Sequence, residues 1–173
     1  GFEARHLGDA RVQIIHGDNG GISAAQNRAL ECVTTEYFGW PDHDDRLNPR
    51  AIELMSDRIG ASSEGPQVVY SDEDTIDSMG EHYERYCKPD FSPELLLTQM
   101  YLCHFTVFQT ELVRSHGGFR GEMDGAQDFD LALRLAPELT DVQHIPLPLY
   151  HWRAWSESTA LTIDAKPWAQ QAA

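Results

Sequence analysis

Three carboxylates fall within four residues at Asp42-His43-Asp44-Asp45, directly after the aromatic run Tyr37-Phe38-Gly39-Trp40-Pro41. Pro41 and the acidic cluster predict the end of a strand and a loop at its carboxyl edge, where open α/β sheets bind ligands. In an extended segment Asp42 and Asp44 point the same way. Two hard oxygen ligands there suit Mg²⁺ or Mn²⁺, with substrate phosphates completing the shell. The local sequence leaves a solvated acidic turn as the other reading. A second acidic stretch, Asp72-Glu73-Asp74 and Asp77, follows the β-branched run Val68-Val69-Tyr70. It predicts a second acidic loop on the same edge of a mainly parallel sheet. Asp128 opens a helical segment behind a glycine-containing loop. A carboxylate there is either a general base or an aspartate that favours the helix dipole. His151 and Arg153 supply a late basic pair; the histidine is either structural or functional, and the arginine suits phosphate.

Charge narrows the chemistry. The 173 residues carry 28 acidic against 13 basic side chains, a formal net charge of -15. That argues against a nucleic-acid backbone binder and disfavours unaided binding of a diphosphate. A divalent cation relieves the conflict locally. Hydrophobic content of 41% and the chain length suit one domain with a core. No apolar run approaches a membrane span, and there is no signal-like start. Cys32, Cys87 and Cys103 are scattered, with neither a zinc spacing nor a disulfide framework, in keeping with a reducing cytoplasm.

The elements that must position these groups follow from periodicity. Val12 to His16 predicts a short strand, and Gly17 to Gly21 a turn. Ile22 to Val33 predicts a helix, with Ser23 in its first turn. Tyr37 to Trp40 is the next strand, and Asn48-Pro49 starts a helix with Asn48 as its cap. Gln67 to Ser71 is a strand, while Ser78 to Pro89 has no clean period. Ser92-Pro93-Glu94 opens a helix running to Met100, Cys103 to Gln109 is a strand, and Glu111 to His116 is a short helical turn. Gln127 to Leu135 is helical. Ile145 to His151 is a strand whose Pro146 and Pro148 predict an edge position. The tail from Ala165 reads as a frayed or cut helix.

Taken in order, several blocks agree: Asn19-Gly20-Gly21-Ile22-Ser23-Ala24-Ala25-Gln26-Asn27-Arg28-Ala29-Leu30, Asp42-His43-Asp44-Asp45, Val69-Tyr70-Ser71-Asp72-Glu73-Asp74 and Lys88-Pro89-Asp90-Phe91-Ser92-Pro93. Then come Gly117-Gly118-Phe119-Arg120, Gly125-Ala126-Gln127-Asp128-Phe129-Asp130-Leu131, Tyr150-His151-Trp152-Arg153 and Ser158-Thr159-Ala160. This series resembles the inverting family 2 glycosyltransferases of the GT-A fold, of the type that builds bacterial surface polysaccharide. The resemblance implies an α/β fold, a mostly parallel central sheet flanked by helices, with residues 1–173 forming a single partial GT-A domain.

The resemblance also implies roles. Asp42-His43-Asp44 would be the DXD motif, with Asp44 as the main ligand of Mg²⁺ or Mn²⁺ on the donor diphosphate. Asp42 would reach the sugar, ribose or metal, and Asp45 would shape the sugar pocket. Asp128 would be the catalytic base, His151 and Arg153 would close over the diphosphate, and Asp72 and Asp74 would support the acceptor side. The donor would be a nucleotide-diphosphate sugar and the acceptor a glycan or lipid-linked glycan, in the cytoplasm or at the inner face of the membrane. Peripheral membrane association through missing regions and self-association as a homo-oligomer stay open.

The departures are specific. Gln127 replaces the glutamate of a Glu-Asp pair, Gln26 stands where arginine is common, and Gly39-Trp40-Pro41 replaces a smoother strand end. The usual first strands, which hold base and ribose, are expected to be absent, so that the chain alone is expected to bind donor poorly or to act only in a larger polypeptide or assembly. A noncatalytic carbohydrate- or protein-binding derivative and a metal-dependent phosphohydrolase are the competing functions.

Overall fold

A computed structural model describes residues 8–154. The Ser158-Thr159-Ala160 block and the expected tail helix lie outside the described residues. The central six-stranded sheet comprises β1 (Tyr37–Phe38), β2 (Arg46–Leu47), β3 (Val68–Ile76), β4 (His82–Tyr86), β5 (Thr106–Gln109) and β6 (Val142–Arg153). The order is β1-β5-β3-β6-β2, with β4 also pairing β3. The helices are α1 (Ile22–Cys32), α2 (Ala51–Gly60), α3 (Pro93–Leu96), α4 (Thr110–Ser115) and α5 (Gln127–Leu135).

The mixed α/β architecture is as expected, but the sheet is not mostly parallel. Only β3 and β6 run parallel among the described pairings; β1·β5, β2·β6, β3·β4 and β3·β5 are antiparallel. Strand direction depends on remote partners, which local apolar runs do not reveal. The same reason explains residues 12–16, which form no strand: Ile14 and Ile15 are exposed and have no neighbouring strand among the described residues.

Two further expectations change. β3 does not stop at Ser71 but continues through Asp72, Glu73 and Asp74 to Ile76, so these carboxylates lie inside the sheet rather than in an edge loop. Each finds a basic partner. Asp72 is bound by His144 Nε2 at 2.9 Å and Arg85 at 3.2 Å, Glu73 by Lys88 at 3.1 Å, and Asp74 by His151 and His82. A buried charge is tolerated only when paired in this way. β6 is not an edge strand either; it lies between β3 and β2. Its register against β3 jumps from Ser71↔Ile145 to Asp72↔Pro148. The irregularity absorbs Pro146 and Pro148, which cannot donate to a ladder.

The strand from residue 37 is shorter than expected, and the helix after Asn48-Pro49 begins at Ala51. Asn48 instead closes a turn, its Oδ1 accepting from the Arg50 amide at 3.0 Å. Residues 78–89 contain β4, which pairs with β3 as a hairpin and is exposed throughout. Ser92 does cap α3, accepting from the Leu95 amide at 3.1 Å, but that helix ends at Leu96. α5 has the predicted bounds, and Leu131 and Leu135 bury one face against Leu30, Val68, Phe108, Val113 and Phe119. On the other side of the molecule's core, Ala51 and Met55 of α2 pack with Val69, Val107, Ile145 and Tyr150.

α1 is closed at both ends by distant residues. Gly21, its N-cap, has φ 92° and no capping side chain, and a Cβ there would collide with the Asp124 carboxylate. Asp124 instead accepts from the Ile22 and Ser23 amides at 3.1 and 2.8 Å. The cap is thus supplied by a residue about a hundred positions away, while the Ser23 hydroxyl donates to the Arg120 carbonyl. Arg114 donates to the Leu30 and Val33 carbonyls at the other end, where a cation is favoured. Asn27 makes paired hydrogen bonds with the Phe119 backbone at 2.7 and 2.8 Å. These contacts fasten α1 to the loop that leads into Asp128.

The bonds from Ser23 hold the Asp124 carboxyl below the usual aspartate range. Its folded pKa is lowered, so its contribution is present above the ordinary value of about 3.9 and is lost as pH falls through the native value. Replacing Asp124 by Ala should cost about 1 kcal/mol in urea unfolding at neutral pH. That margin over the variant should vanish in acid.

Candidate functional site

The acidic loop is fixed from beneath by β6. Tyr150 is fully buried, and its hydroxyl donates to Asp45 Oδ2 at 2.7 Å while accepting from the Asp42 amide at 2.9 Å. The ring stacks on His104 with centroids 4.7 Å apart. Burial pushes the phenol upward, with the Asp45 bond acting in the same direction, so it stays a neutral donor. Asp45 also accepts from the Arg153 amide at 2.8 Å, and the Arg153 guanidinium reaches the Asp44 carbonyl at 2.7 Å. Burial raises the Asp45 carboxyl despite these bonds. Asp45 therefore spends both oxygens on positioning the loop. The side chains of Asp42 and Asp44 are 61% and 44% exposed, so their carboxylates remain accessible to a cation.

Beside this loop is a cavity of about 400 Å³ whose wall includes both Asp42 and Asp128. These residues come from the β1–β2 connection and the first turn of α5, 86 positions apart in sequence. Asp128 Oδ1 accepts from the Phe129 amide at 2.8 Å. Trp40 and Trp152 form aromatic wall, and His104 adds an imidazole whose Nε2 is 3.8 Å from Asp42 Oδ2. Trp40 is itself set by stacking on Phe108 at 5.1 Å and by edge contact with Phe119 at 4.9 Å. Cys103 also lines the cavity, but burial pushes its thiol up to about 12, which makes it a poor nucleophile.

Two residues of this wall each carry a buried polar atom that is unusual. Gln26 Oε1 and Trp152 Nε1 are buried without a hydrogen-bond partner. Orphaned polar groups cost free energy unless something pairs them. One acceptor and one donor on residues lining the same cavity suit a polar ligand.

Strand alternation separates the residues at the end of β6. Trp152 lines the cavity, whereas the adjacent His151 is buried with Nδ1 2.6 Å from Asp74 Oδ1. Among the described residues, Asp44, Asp45, His151 and Arg153 are not part of the cavity wall, although Asp44, Asp45 and Arg153 belong to the adjoining loop contact. Sequence reasoning overlooked Tyr150 as the anchor and His104 and Trp152 as lining residues. Tyr150 and Trp152 were visible inside the Tyr150-His151-Trp152-Arg153 block; His104 carries no local signal.

The model of glycosyl transferase family 2 matches residues 2–117. The chain belongs to glycosyl transferase family 2. It is 38% identical over 95% of its length to the uncharacterized protein y4gI of Sinorhizobium fredii, of which it spans 18%. It is 33% identical over 88% of its length to the O-antigen biosynthesis protein RfbC of Myxococcus xanthus, spanning 12% of that protein. A chondroitin synthase of Pasteurella multocida is 30% identical over 87% of the chain, which covers 16% of the synthase. The chain thus spans less than one fifth of the length of each of these relatives. Among solved structures, S. aureus TarS 1-349 in complex with UDP-GlcNAc superposes with a TM-score of 0.67 at 12% identity, covering 90% of this chain and 46% of TarS 1-349. That likeness shows the GT-A-like fold. No helix of the described residues is long and apolar enough to cross a membrane.

Tyr150→Phe keeps the stacked ring but removes the hydroxyl shared by Asp42 and Asp45. It should lower stability by about 1–3 kcal/mol. Amide hydrogen exchange should accelerate at Asp42 more than in α5.

Proposed function

We propose that this family 2 domain transfers a sugar, with inversion, from a nucleotide-diphosphate sugar to a hydroxyl of a glycan or lipid-linked glycan during polysaccharide biosynthesis. On this reading residues 1–173 are part of one GT-A domain. The observation that carries it is the shared cavity of Asp42 and Asp128, lined also by Gln26 and Trp152, each of which has a buried polar atom without a partner. The names of the RfbC and chondroitin synthase relatives support the polysaccharide setting, and the UDP-GlcNAc complex of TarS supports a nucleotide-sugar donor.

The exposed carboxylates of Asp42 and Asp44 fit a hard divalent cation, Mg²⁺ or Mn²⁺. Asp42 and Asp44 would hold such a cation, which would offset the charge that grows on the departing diphosphate. Asp45 and Tyr150 hold the loop that presents those carboxylates. Arg153, tied to the Asp44 carbonyl, brings positive charge beside the same loop. Trp40 and Trp152 exclude water and stack on the flat face of base or sugar. Asp128 takes the proton of the acceptor hydroxyl as its oxygen bonds to the anomeric carbon. The bond from that carbon to the diphosphate breaks in the same displacement, and the nucleoside diphosphate leaves with the electron pair. A single displacement inverts the anomeric centre and needs no protein nucleophile, which suits a cavity whose one thiol is held protonated.

Assayed in the full polypeptide, Asp128→Asn should lower transfer by about 10²-fold or more while donor binding persists. Asp44→Asn should instead abolish the Mn²⁺-dependent part of donor binding. Undiminished transfer by Asp128→Asn would reject the assigned base. Donor binding by the wild type without transfer to any acceptor would support a noncatalytic derivative.

A further inference from the structure

We propose that Asp74, His82 and His151 form a second metal site, selective for a borderline cation such as Zn²⁺, which clamps the β3–β4 hairpin to β6. Three strands converge on it. Asp74 pairs with His151 across the parallel β3·β6 ladder, and His82 begins β4 opposite Ile76, two residues along β3 from Asp74. Both imidazoles present Nδ1 to the same carboxylate. His151 Nδ1 lies 2.6 Å from Asp74 Oδ1, and His82 Nδ1 lies 3.0 Å from Asp74 Oδ2. The rings stand edge to face, with centroids 4.6 Å apart and planes at 87°. One ligand atom from each residue falls within 4.8 Å of the other two.

That spacing suits a tetrahedral cation. Zinc bonds of about 2.0–2.2 Å to nitrogen and oxygen put neighbouring ligand atoms about 3.4 Å apart. The two imidazole–carboxylate contacts open by less than an ångström to admit the ion, the other ligand separations lie within 4.8 Å, and His82, half exposed on an edge strand, has room to adjust. Its exposed side also leaves a coordination position for water. The ligand set is two imidazoles and one carboxylate, which favours Zn²⁺, Co²⁺ or Ni²⁺ over Mg²⁺. The oxygen pair Asp42 and Asp44 has the opposite preference. None of Asp74, His82 and His151 lines the cavity of Asp128.

The physical consequence is local. β4 is exposed along its whole length and is hydrogen-bonded through β3. A metal joining His82 to His151 would anchor the start of this strand to the centre of the sheet. The other end is already tied down by Lys88, whose ammonium binds Glu73 and the Leu102 and His104 carbonyls. The hairpin would then be fixed at both ends.

Calorimetry with Zn²⁺ and visible absorption with Co²⁺ test the site in the full polypeptide. The wild type should bind one equivalent of Zn²⁺ more than His82→Ala, and show intense Co²⁺ d–d bands that this variant lacks. Asp44→Asn should keep both signals. His82 is exposed, so its alanine variant should retain the wild-type circular dichroism. Equal Zn²⁺ stoichiometry and equal Co²⁺ spectra in wild type and His82→Ala would overturn the proposal, as would loss of both signals in Asp44→Asn.

Discussion

A single buried hydroxyl connects the acidic loop to the sheet. Tyr150 gives its proton to Asp45 and accepts the Asp42 amide, so loop position follows strand position. β6 can hold that tyrosine rigidly because it lies between β3 and β2 rather than at an edge. Strand alternation then sends Trp152 into the cavity and His151 toward Asp74. The Arg153 amide closes the same turn on Asp45. One strand end thereby sets the carboxylate loop, an aromatic wall and the anchor of a hairpin.

β3 carries three acids through the centre of the sheet. Asp72, Glu73 and Asp74 are tolerated because each meets a separate basic group. Within the Glu73–Lys88 pair, burial pushes the carboxyl up and the ammonium down, while each partner favours the charged form of the other. Removing either partner would strand a buried charge. Lys88 also binds the His104 carbonyl, which links this internal network to a cavity residue.

The helices were largely legible because their information is local. The helix expected over Gln127 to Leu135 is found with those bounds, and α1 is found where the run from Ile22 places a helix, although Ile22 is exposed and Ser23 and Leu30 are the buried residues. What failed depends on remote partners. Asp72 to Asp74 resemble a loop until His144, Arg85, Lys88, His82 and His151 are placed around them. Pro146 and Pro148 resemble an edge until the register jump against β3 absorbs them. The cap of α1 comes from Asp124, which no local pattern connects to Ser23. For the site, residue type and order identified Asp42, Asp44 and Asp128 as candidates, and the fold brings Asp42 and Asp128 to one cavity. The structural use of Tyr150 and the wall positions of Gln26 and His104 emerge only with the third dimension.

The central claim concerns one cavity in which the loop of Asp42 and Asp44 holds a metal-bound diphosphate while Asp128 faces the acceptor. A crystal structure of the full polypeptide with UDP and Mn²⁺, with the metal located by anomalous scattering, tests it most directly. The account predicts Mn²⁺ on Asp44 or Asp42, bridging to the diphosphate, with Trp152 or Gln26 paired to the ligand. Nucleotide bound away from this cavity, or Mn²⁺ and diphosphate held without either carboxylate, would contradict it.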